Sequence, residues 1–208
     1  MVIGLDISLL ALFVALGALV FTVLSFWWIH ERPGRLRLAS VPVFAGVWGR
    51  RDGAPELTLR LPVMLNNTGA RARVVEELRL FVPGWHGEAI LEWEHIAETL
   101  DPSKGAALTQ DFPSPYAIDP RCTSMRYVDF TSTFSGPLPT AGPTTFVLQA
   151  RVDGRGHWEE AGRTVLHLGH MSHPEAFIAY RNSEALCAGE TNEGTSEAWA
   201  RHLGAVKG

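Results

Sequence analysis

Three histidines at three-residue intervals, His167-x-x-His170-x-x-His173, form the one spacing in this chain that resembles a ligand set. Neutral imidazoles bind Zn and related ions. A backbone that bends between them could bring all three to one metal, with Cys187 or His202 as an outside ligand. The local pattern argues against it. His167 falls in an expected strand and His173 in an expected loop, so the set is not a helical i, i+4 pair. No second spaced ligand pair accompanies it. The reading therefore assigns no metal, no cofactor and no catalytic residue, and keeps His167, His170 and His173 as the side chains a metal would use. Glu92 and Glu94 share one strand face, and paired carboxylates can do acid–base work. A solvated charged face is the far more usual arrangement. Trp48, Trp85, Trp93 and Trp158 could line a ligand cleft, or could simply pack at sheet rims. No nucleophile elbow, phosphate loop, dinucleotide fingerprint or H-E-x-x-H occurs.

The elements that must position these residues follow an opening unlike the rest of the chain. Ile7–Ile29 is a run of 23 residues without a charge. At ~1.5 Å per residue it makes a helix of ~35 Å, enough to cross a hydrocarbon core of ~30 Å. It lacks the polar face of a soluble core helix. Its hydroxyls, Ser8, Thr22 and Ser25, can bond back to their own helix. Phe26, Trp27 and Trp28 stand at its end, where aromatic rings favour the headgroup level. A cleaved signal peptide needs a basic start, a shorter apolar core and a small-residue cleavage site, all missing here. Ala11, Ala15 and Ala18 would let a second helix approach closely. Arg32, Arg35 and Arg37 follow the run and no basic residue precedes it. The positive-inside rule therefore predicts a single-pass cell-membrane protein with its C-terminal body in the cytoplasm.

Beyond residue 31 the chain carries 18 basic and 20 acidic side chains, a formal charge of −2. That balance excludes a strongly basic nucleic-acid surface. The expected partners are the lipid bilayer and a protein. Cys122 and Cys187 belong to no C-x-x-C motif and read as two unpaired thiols.

The body reads as short strands between turn signals. Glu56–Leu65 is the clearest, with Leu57, Leu59, Leu61, Val63 and Leu65 alternating against polar neighbours. Asn66-Asn67-Thr68-Gly69 reads as a turn; Asn66 is formally a glycan acceptor, which the turn reading makes unnecessary. Further strands are expected over 36–48, 71–83, 88–96, 106–112, 121–134, 144–153 and 163–168. Pro42 signals an edge or bulge. Tyr116 and Ile118 are expected to anchor the irregular 112–120 segment inward. Residues 174–188 read as a short helix or strand, and 196–203 as a brief helix around Trp199.

The run L-x-L-x-L-P-V-x-L-N-N-T-G-A-R-A-x-V-V-x-x-L-R-L, starting at Leu57, resembles the second and third strands of bacterial immunoglobulin-like modules, over about an eighth of the chain. The resemblance implies a fold and brings no catalytic residues with it. The antibody Cys–Trp–Cys core is not matched. The fold expected is mainly β: an immunoglobulin-like antiparallel β-sandwich preceded by one N-terminal transmembrane α-helix. The divisions are a transmembrane anchor over 1–31, a β-sandwich domain over 32–185 and a polar, partly disordered tail over 186–208. The function expected is a non-enzymatic interaction or scaffold module at the membrane face. The alternatives are an accessory subunit assembling through its helix, and a metal-dependent enzyme using the His cluster.

Overall fold

The computed structural model describes residues 3–85, 89–101, 110–135, 138–183 and 192–204. The apolar run forms α1 (Ile3–Phe26), which continues as a π-helical turn over Trp27–Glu31. The side chains of residues 9–29 are exposed except for half-buried Ser25. The helix is long and apolar enough to cross a membrane. The Thr22 hydroxyl donates to the Ala18 carbonyl, as a hydroxyl in an apolar helix must. Pro33 ends the helix, because the residue before a proline is driven from the helical region. Arg32 accordingly sits at φ −57°, ψ 118°.

Among the described residues eleven strands follow: β1 (Leu36–Leu38), β2 (Val43–Arg51), β3 (Ala54–Asn67), β4 (Arg73–Val82), β5 (Ala89–Ala97), β6 (Gln110–Asp111), β7 (Tyr116–Ile118), β8 (Thr123–Thr133), β9 (Pro143–Val152), β10 (Trp158–His167) and β11 (Ile178–Arg181). They make one antiparallel sheet in the order β10-β9-β4-β5-β8-β3-β2-β11, curled into a half-barrel, with β1, β6 and β7 pairing at its margins. The single strand expected over 36–48 is two strands, interrupted at residues 39–42 where Pro42 removes a ladder donor.

The alternation of β3 is what the curl closes around. Leu57, Leu59, Leu61, Val63 and Leu65 are all at most 1% exposed. Each contributes about 1.5–3 kcal/mol relative to an exposed position. On the opposite face Arg60 pairs in register with Asp129 of β8. Its guanidinium donates to both carboxylate oxygens at 2.6 and 2.8 Å, beneath the Phe177 ring. A one-residue slip would set a buried arginine against Val128 or Phe130, so the pair fixes the register of the two central strands.

One side chain spans the two ends of the sheet. Asn182 donates to the carbonyls of Val41 and Val165, both at 2.7 Å, and accepts from the His167 amide. Tyr116 and Ile118 point inward, and Ile118 is 1% exposed. After β11 the chain forms α2 (Asn192–Leu203), which lays Trp199 and Leu203 onto the core.

Candidate functional site

Hydrogen bonds converge where α1 meets the sheet. Asn67, the last residue of β3, is fully buried. Its side-chain amide donates to the carbonyls of Arg71, Ile118 and Asp119, and its side-chain oxygen accepts from the Gly69 amide at 2.9 Å. One asparagine thus shapes the 68–72 turn and welds it to the end of β7. The sequence expects Asn66 inside this turn. The strand instead runs through both asparagines, and the bend is made by a side chain rather than by positive φ. Asn66 itself stays exposed.

The turn grips the linker. Thr68 exchanges backbone and hydroxyl hydrogen bonds with Arg35, and the Ala70 amide donates to the Arg32 carbonyl at 3.0 Å. Gly34 and Gly69 are packed backbone against backbone, so a Cβ on either would run into the other. The Arg73 guanidinium, 5% exposed, donates to the Gly34 carbonyl at 2.6 Å and is held by Asp153 and Glu159.

Arg121 completes the junction. It occupies the left-handed region at φ 56°. Its Nη2 donates to the carbonyls of Trp28 and Ile29 at 3.2 and 3.3 Å. These lie in the last helical turn, where carbonyls lack intrahelical partners and the dipole favours a cation. Arg71 pairs with Glu31, and the Arg32 guanidinium lies 3.9 Å from the Trp28 ring centroid. The helix end is therefore fastened by two separated stretches of chain, at Arg71 and Arg121.

The opposite end of the half-barrel is built from rings. Trp48 packs on Phe134 and Trp199 at 5.4 and 5.2 Å, and Trp85 packs on Phe134 and Phe146 at 5.7 Å each. Trp199 donates to the Met171 carbonyl at 3.0 Å, and His202 Nε2 lies 2.9 Å from the Trp48 carbonyl oxygen. Beside these rings opens a cleft of about 400 Å³, lined by Trp85, Phe134 and Leu138 with hydroxyls from Ser132, Ser135 and Thr140.

Comparison with protein-family models and with curated proteins finds no match. The site must therefore be read from its own geometry.

The three histidines of the sequence pattern do not all come together. His167 and His170 stack at 5.9 Å, and His170 Nδ1 lies 2.6 Å from the Arg181 carbonyl oxygen. His173 is exposed and faces Glu175. Among the described residues, no three His, Cys, Asp or Glu side chains are grouped so as to hold a metal ion. Cys187 lies outside the described residues, and Cys122 is exposed near the junction.

The four tryptophans divide. Trp48 and Trp85 join the distal rings, Trp93 meets Tyr116 edge-on, and Trp158 lies under Arg79. Glu92 is exposed, whereas Glu94 binds Arg51, which also pairs with Glu56. Burial pushes Glu94 up, but hydrogen bonds from Thr131 and Arg51 and the charge of Arg51 outweigh it, leaving its carboxyl below the usual range. Burial holds Glu56 above that range against the pull of Arg51. Sequence reasoning missed Arg121 and Phe134. Neither belongs to a motif, and only the folded topology brings them to their neighbours.

Proposed function

We propose that this protein is a non-enzymatic interaction module, anchored by one membrane-crossing helix and held at the cytoplasmic face. The observation that carries the reading is the junction at Asn67 and Arg121. A flexible tether would need no buried asparagine with four hydrogen bonds and no capping arginine. Fastened this way, the body keeps one orientation to the helix and turns its ring-lined cleft away from the lipid. The cleft, apolar with a few hydroxyls, suits a protein partner.

We further infer that the curled body is a variant of the immunoglobulin-like β-sandwich plan. β3 and β4 are consecutive in the chain but separated by β8 and β5 in the sheet. The turn between them therefore crosses from one flank of the core to the other, as connections between facing sheets do.

A photo-crosslinking amino acid in place of Leu138 tests the interaction reading. In intact membranes it is expected to give one discrete adduct, absent when the same group replaces exposed Val74. No adduct from Leu138, or identical patterns from both positions, overturns it. A C-terminal reporter active only outside the cell would overturn the orientation.

The accessory-subunit reading keeps one observation in its favour. The helix is exposed around its whole circumference and carries Ala11, Ala15 and Ala18. Replacing it with an unrelated apolar helix separates the two, since loss of assembly favours the helix and retained crosslinking favours the cleft.

A further inference from the structure

We propose that the junction is a binding site for anionic phospholipid headgroups, an inference that rests on the membrane-crossing reading of α1. Three arginines gather at the helix end, Arg32 from the linker, Arg71 from the 68–72 turn and Arg121 from the turn before β8, and Arg35 follows four residues beyond the helix in the linker. Three of them touch the last helical turn directly, through the Trp28 ring, Glu31, and the Trp28 and Ile29 carbonyls. Trp27 and Trp28 are exposed there, and rings of this kind settle at the headgroup level. The arginines are thereby held at phosphate depth.

The charge balance supports the same end of the molecule. Against the four arginines, residues 31–35, 68–71 and 119–122 carry only Glu31 and Asp119, a net charge of +2. The chain as a whole is −4, so everything outside this collar is −6. With Arg73 and its partners Asp153 and Glu159 counted as well, five arginines face four carboxylates, and the net charge beside the helix end stays positive at +1.

The donors are also suited to the ligand. Arg121 engages the helix through Nη2 alone among the described residues, leaving the rest of its planar fork to a phosphate oxygen. Arg35 is exposed, with its backbone fixed by Thr68. A phosphatidylcholine headgroup offers the same phosphate with a cation beyond it, whereas phosphatidylglycerol keeps its full negative charge. The collar therefore discriminates between them by charge. An arginine near an anionic surface contributes a preference of about fivefold.

The test reconstitutes the full chain in phosphatidylcholine bilayers and measures its association with spin-labelled phosphatidylglycerol and spin-labelled phosphatidylcholine by electron paramagnetic resonance. The glycerol lipid is expected to associate about fivefold or more above the choline lipid. The preference should fall about fivefold in Arg35→Gln, survive in Arg35→Lys and shrink as salt is raised. Arg35 is exposed, so this variant leaves the fold in place; Arg121→Gln is the second variant, with the far-ultraviolet spectrum checked alongside. Equal association of the two lipids overturns the proposal. So does displacement of the labelled lipid by inorganic phosphate, which would make this a site for a free anion. Protein that fails to float with vesicles of either composition overturns the membrane-crossing reading itself, a different failure from floating without lipid preference.

Discussion

The two ends of the half-barrel solve opposite problems with opposite chemistry. At the helix end, Asn67, Thr68, Arg73 and Arg121 fix the chain through directional hydrogen bonds, mostly to backbone carbonyls. At the far end, Trp48, Trp85, Phe134, Phe146 and Trp199 fill space with rings meeting at 5.2–5.7 Å. Hydrogen bonds to fixed carbonyls define an orientation, because they weaken steeply when bent. Ring contacts draw most of their stabilisation from buried area, which is non-directional. One end is thus suited to holding a fixed relation to the helix, and the other to filling the core, where Trp48, Phe146 and Trp199 are at most 1% exposed.

The sharpest way to break the comparison is at the rings. Trp199→Ala is expected to cost about 3–5 kcal/mol in urea denaturation of the full chain in detergent, as a buried aromatic truncated to a cavity does. The helix–sheet distance should be unchanged in whatever remains folded. Asn67→Ala comes next, at about 3 kcal/mol, since it strands the Gly69 amide and removes the donor from three carbonyls. Unlike the first variant, it should free the linker. Arg121→Gln is expected to cost about 1 kcal/mol, the scale of a cation at a helix C-terminus. It should widen the spread of helix–sheet distances while leaving the near-ultraviolet signal of the distal rings intact.

The smallest effect separates two carboxylates at the distal end. The folded pKa of Glu94 is depressed, so its stabilisation is present above the usual glutamate range and is lost as pH falls through the depressed value. That of Glu56 is raised, so folding favours its protonated form and stability gains as pH falls through the raised value. At neutral pH, Glu94→Gln should lower the melting temperature and Glu56→Gln should leave it unchanged or raise it. The two variants should converge in acid, below both values.

Much of the fold is legible in the residues themselves. The uncharged opening run forms α1, and the five alternating apolar positions of β3 are buried as their period requires. Tyr116 and Ile118 turn inward from an irregular segment, as anchors should. What could not be read is long-range. Nothing near Arg121 announces that its guanidinium reaches carbonyls more than ninety residues earlier. The N-x-G run marks a turn, yet two of the partners of Asn67, the Ile118 and Asp119 carbonyls, lie on β7 and beside it, which only the strand order brings close. The continuity of one sheet from β10 to β11 is likewise set by pairings between distant strands, and a period-two pattern says which face is buried without saying which neighbour a strand will find. The histidine spacing is the converse case, a regular pattern in sequence of which the bend after β10 keeps only His167 and His170 together.

The central claim is that helix and sheet form one rigid unit through the Asn67–Arg121 junction. Spin labels at Leu19→Cys and Val165→Cys, with Cys122 and Cys187 replaced by serine, report it directly by double electron–electron resonance on the full chain in lipid nanodiscs. The account predicts one narrow distance distribution that broadens when Asn67→Ala is added. A distribution already broad in the presence of Asn67, or one indifferent to its removal, would contradict it.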